Sequence, residues 1–142
     1  MGQTLYAGLL AGLVAGLVSG IMLQLMWVLT PLSLLLSLPP NPSTGWIPHL
    51  IISLIFGIVF AFVAEAFLPG RSGAVAGGLI TGLLAWIVGP LTLVPLWIGL
   101  PPQYTLASRW LKVLAAYLAY GLVLGEVFHA FRERIPERRR AE

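Results

Sequence analysis

The sequence predicts an all-α polytopic membrane protein with four transmembrane helices. Three observations lead there. Of the 142 residues 58% are apolar and only 9% are charged, against about 25% charged in an ordinary soluble domain. Mean hydropathy is +0.94. The few charges are also segregated, for residues 1–64 and 72–108 contain no Asp, Glu, Lys or Arg. Disordered chains are polar and poor in Leu and aromatics, so disorder is excluded with the soluble globule.

A helix needs about 20 apolar residues to cross the hydrocarbon layer, and four segments supply them, near 5–30, 47–68, 74–98 and 107–131. The first lacks a basic leader and a small-residue cleavage site, so it is expected to remain as a span. Tyr6 also stands where a myristoylation motif wants Ser or Thr. Turn chemistry separates the spans at Pro39–Gly45, Leu68–Gly73 and Leu100–Gln103. The stretch 32–38 is too short to cross, and is expected to extend the first helix past Pro31 or to lie in the interface. Pro90 and Pro95 should kink or unwind the third span in its second half.

Loop cations set orientation. Arg71 and the tail arginines 132, 134, 138, 139 and 140 share one side, whereas only Arg109 and Lys112 lie on the other. Both termini are therefore expected on the cytoplasmic side, with residues 1–131 as one bundle and 132–142 as a basic tail. Trp46, Trp97, Tyr104 and Trp110 would form an aromatic belt at the far face. The basic tail suits anionic lipid, not nucleic acid.

An offset of 62 residues lays Gly8, Gly16 and Gly20 on Gly70, Gly78 and Gly82; an offset of 64 lays Trp46, Gly57 and Phe67 on Trp110, Gly121 and Phe131. Two helices per unit imply a parallel repeat about the membrane normal.

Small residues recur every fourth position: Gly8, Gly12, Gly16 and Gly20; His49, Ser53, Gly57, Ala61 and Glu65; Ala74, Gly78 and Gly82; Tyr117, Gly121, Gly125 and His129. Residues four apart share a helix face, and small ones there allow close backbone approach, the principal adhesive between helices in lipid. These glycine-zipper stripes predict tight bundle packing, with homo-oligomerisation or docking to other membrane subunits as their wider use.

Intramembrane ionisable groups are few. Glu65, Glu126 and His129 fall near one end of the bundle, where they either pair with Arg71 and Arg132 or converge as a proton or ligand site. Glu126-x-x-His129 has helical di-iron spacing, but a single copy does not make a metal site and none is predicted. His49 begins the second span about 24 Å away at helical rise. Beside Trp46 and Pro48 it is expected to be solvated, with single-His ligation of a haem or pigment as the lesser alternative; no cofactor is predicted. No phosphate-binding, nucleophile-elbow, zincin or dinucleotide motif is present. Cysteine is absent too, and enzymatic activity is not expected.

From Trp46 to about Arg134 the chain resembles the YagU-like group of small bacterial inner-membrane proteins. The resemblance is carried by His49, the run from Gly57 through Glu65 to Gly70, then Gly78, Gly82, Trp86, Pro95, Gly99 to Pro101, and Glu126 with the arginines that follow. It implies a helical inner-membrane bundle and no particular activity. The chain departs from the group at Ala115-Ala116-Tyr117, where a histidine is expected.

Three functions compete on this reading. The first is an oligomerising or accessory subunit of a membrane complex. The second is a small proton-coupled transporter or channel that uses Glu65, Glu126 and His129, with Gln24, Ser53, Thr81, Thr92 and Tyr117 as the polar groups available to line its path. The third is cofactor or pigment binding through His49 or His129.

Overall fold

The computed structural model describes residues 1–104 and 107–134. Among these it is helical with no strand, and four helical segments of 24, 26, 28 and 27 residues are long and apolar enough to cross a membrane. The tail arginines 138–140, which weigh in the topology expectation, lie outside the described residues.

Helix α1 runs Gly2–Leu25 and stops earlier than the apolar run does. Trp27 adopts φ 59°. Its N–H bonds the Gln24 carbonyl at 3.0 Å, and the Val28 N–H bonds Leu23 at 2.9 Å. This is a Schellman closure with tryptophan where glycine usually stands. The expected continuation to residue 30 is therefore wrong, and the stretch beyond Pro31 does not extend the first helix. It forms a separate short helix α2, Leu29–Leu32, and a 3₁₀ turn, Ser33–Leu36. A second Schellman closure follows, at Ser37 with φ 55°.

Helix α3 spans Pro42–Phe67, five residues earlier than expected, because Asn41 caps it by accepting the Thr44 N–H at 3.0 Å and Pro42 takes the first helical position. Proline there loses no helical hydrogen bond. Only Leu68 and Pro69 separate α3 from α4, Gly70–Val88. Pro90 then does what its missing N–H dictates. The backbone widens into a π turn at Gly89–Leu93 before a short helix α5, Val94–Trp97, ends at Gly99 (φ 78°). The Gln103 N–H folds back to the Leu91 carbonyl at 2.7 Å. Helix α6 runs Ser108–Arg134.

The long helices pack in the order α3–α1–α6–α4, while α3 and α4 touch sparsely despite their two-residue connection. Side-chain size explains why α1 is central. One face carries the glycines, and a neighbouring face carries Ala7, Ala11 and Ala15, which are fully buried in a cluster with Tyr120, Leu124 and Phe128. Two helices can thus approach α1 at once. A second cluster, around Leu23, Leu29, Leu32, Trp86, Val113 and Ala116, fills the other end of the molecule.

Candidate functional site

The glycine faces are occupied inside the chain. A Cβ on Gly8 would stand 2.8 Å from both the Gly57 carbonyl oxygen and the Ala61 Cβ, and one on Gly12 would stand 2.7 Å from the Ser53 carbonyl oxygen and 3.1 Å from the Gly57 Cα. On the other pair, Gly78 meets the Gly121 carbonyl and Gly125 N, Gly82 meets the Tyr117 carbonyl and Gly121 Cα, and Gly125 meets Ala74. In packing terms Gly8 therefore corresponds to Gly78 and Gly12 to Gly82, an offset of 70, while Gly57 corresponds to Gly121 at 64. The 62-residue alignment of the first helices is about two helical turns out of the register that the contacts follow.

Gly16 and Gly20 do something different. A Cβ on Gly16 would lie 2.7 Å from the Ser53 Cβ and 2.9 Å from its Oγ; one on Gly20 would meet the Trp46 ring and stand 3.0 Å from His49 Nε2. These two glycines make the space in which polar side chains of α3 sit against α1. His49 is consequently 6% exposed, in the second turn of α3, and not solvated as expected. Its Nε2 donates to the Gly16 carbonyl at 2.9 Å, with Ser19 Oγ at 3.5 Å. Trp46 closes over it edge-on, with ring centroids 5.8 Å apart, and donates its indole N–H to Gln24.

Beside this cluster lies a cavity of about 400 Å³. That falls within the 300–1,000 Å³ common for small-molecule sites. Ser19, His49, Ser53, Tyr117 and Tyr120 contribute its polar groups, and the remaining walls are apolar. Tyr120 is fixed by donating its hydroxyl to the Ser53 carbonyl at 2.8 Å. The cavity residues with the greatest exposure are Ile55 of α3, Val88 of α4, Leu93 of the π turn and Trp97 of α5. The mouth thus opens sideways where α3 and α4 fail to meet. Residues of the π turn, Gly89 and Leu93, form part of the wall, as π turns often do at ligand sites.

Of the polar residues considered from sequence, Ser53 and Tyr117 reach this cavity; Ser19 and Tyr120 were missed. The Tyr117-x-x-Tyr120 spacing, which puts both rings near one helical face, was the available signal. Thr81 is occupied with the Gly77 carbonyl at 2.9 Å, Thr92 with Ile87 at 2.8 Å, and Gln24 with Trp46.

The acidic residues take separate partners at the opposite end. Glu65 pairs with Arg132, whose guanidinium carbon lies 5.9 Å from the centroid of the Phe128 ring. Glu126 receives a forked contact from Arg71, with Nε 3.1 Å from both carboxylate oxygens and Nη2 2.9 Å from Oε1. His129 Nε2 is 3.2 Å from Glu133 Oε1. Glu65 and His129 border one shallow depression with Arg132 and Glu133, and Glu126 is not among its lining residues. Among the described residues no three His, Cys, Asp or Glu side chains are grouped to hold a metal ion.

No protein-family model, curated protein or solved structure matches this chain.

Proposed function

We propose that this chain is a non-enzymatic intramembrane binding protein that holds a lipid-soluble molecule between α3 and α4. The observation that carries this reading is the cavity beside His49. It is mostly apolar, has a small polar floor, and opens toward the side that lipid would occupy, so a ligand already dissolved in the bilayer would reach it without crossing water. The helices on either side of the mouth diverge from a two-residue turn, which leaves room for a chain-like guest.

The other readings draw less support. An oligomerising or accessory-subunit role would rely on the glycine faces, and those are engaged within the chain. Proton coupling through Glu65, Glu126 and His129 would need carboxylates free to exchange protons, whereas each has a cationic or hydrogen-bonding partner. A haem or pigment on His49 would have to use Nδ1, because Nε2 is committed to Gly16. The resemblance to YagU-like proteins supports a bacterial inner-membrane setting and names no ligand, and the loop and tail arginines support cytoplasmic termini.

The test is what copurifies. Protein prepared in mild detergent, extracted with organic solvent and analysed by mass spectrometry should yield one apolar species enriched toward one per chain. Val88→Trp, which narrows the mouth, should lose that species with the helical circular dichroism spectrum unchanged. An extract with the same lipid profile in both proteins would overturn the reading.

A further inference from the structure

The pocket's unpaired polar atoms specify the head group of its guest, an inference that rests on the binding reading above. Among the described residues, no Asp, Glu, Lys or Arg lines the cavity. A phosphate, carboxylate or ammonium head would therefore lie unpaired in an apolar setting, where charge is costly.

The hydrogen-bond roles narrow the choice further. The Gly16 carbonyl can only accept, so the 2.9 Å contact assigns the proton to His49 Nε2. A ring with one proton then carries a bare lone pair on Nδ1. His49 and Ser53 are 6% and 5% exposed. Among the described residues, neither His49 Nδ1, the Ser53 hydroxyl nor the Tyr117 hydroxyl has a hydrogen-bond partner within the protein. All three residues line the cavity. The residues that line the pocket thus carry, besides the Trp97 indole N–H at its mouth, one obligate acceptor and two hydroxyls that both donate and accept. A carbonyl head would match the hydroxyls and leave Nδ1 empty. An ether would do the same. A hydroxyl head donates to Nδ1 and accepts from Tyr117 or Ser53 at once.

We propose that the pocket binds a neutral lipid alcohol, its hydroxyl held by His49, Ser53 and Tyr117 and its hydrocarbon leaving between α3 and α4 past Ile55 and Val88. Gly20 belongs to this site because its missing side chain leaves room for the imidazole, and Gly16 because its carbonyl accepts from His49 Nε2.

Tritiated farnesol is the probe, bound to the purified full chain in detergent and displaced by unlabelled farnesol or by farnesyl methyl ether. The ether keeps the hydrocarbon and cannot donate. Farnesol should displace the label at least tenfold better than the ether. That preference should collapse in His49→Phe, and in Tyr117→Phe, which breaks no hydrogen bond within the protein, farnesol should bind several-fold more weakly. Equal displacement by alcohol and ether, with saturable binding, would overturn the head-group assignment while the pocket stands. No saturable binding of any farnesyl compound would overturn the pocket as well.

Discussion

Gly57 of α3 lies directly against Gly12 of α1, so closely that a Cβ on Gly57 would stand 2.6 Å from the Gly12 Cα and 2.5 Å from the Gly8 carbonyl oxygen. Both obstacles are backbone and cannot rotate away. Gly57→Ala should force the helices apart and lower stability by about 1–3 kcal/mol, the range for overpacking a tight contact. Gly2→Ala, where a Cβ meets nothing within 4 Å, is the control and should be silent. Thermal unfolding in detergent measures both, and equal melting temperatures would contradict the packing described.

Ser37 holds a left-handed backbone at φ 55° on an exposed turn, a conformation that costs an L-residue roughly 1–2 kcal/mol relative to glycine. Ser37→Gly should raise stability by up to about 1 kcal/mol, since glycine's greater freedom in the unfolded chain offsets part of the gain. A fall in the denaturation midpoint would show that the 3₁₀ turn does not close as described.

Glu65 and Glu126 are engaged by Arg132 and Arg71 near the ends of their helices. In a binding protein they hold helix ends and carry no proton current. Proteoliposomes containing wild type, Glu65→Gln or Glu126→Gln should therefore show one and the same proton leak, that of empty liposomes, from pH 5 to 8. A wild-type flux removed by either substitution would restore the transporter reading.

The spans were legible because uninterrupted apolar length is a composition signal, and Pro90 announced the break in the third span because a missing N–H is visible in the sequence. Helix ends were legible only where the usual residue marks them. Gly99 is such a residue; Trp27 and Ser37, in the same left-handed role, are not. The sequence starts α3 late because Pro42 reads as loop, although Asn41-Pro42 is a cap followed by a first-turn proline. That shift hid the site. With α3 beginning at Pro42, His49 moves inward by more than a turn and falls opposite Gly16 and Gly20, so a residue expected in water is buried. The four-residue stripes do not say which glycine meets which, because register depends on where each helix begins. The alanine face that brings α6 onto α1 carried no signal distinct from the apolar background.

The claim that the α3–α4 opening holds a lipid-soluble guest is tested most directly by a crystal structure of the full chain grown from a lipidic mesophase. Elongated non-protein density should enter between Ile55 and Val88 and end within hydrogen-bond distance of His49 Nδ1. Helices α3 and α4 closed on each other, with Phe56 packed against Ala85 and Val88 and no space left beside His49, would contradict the account.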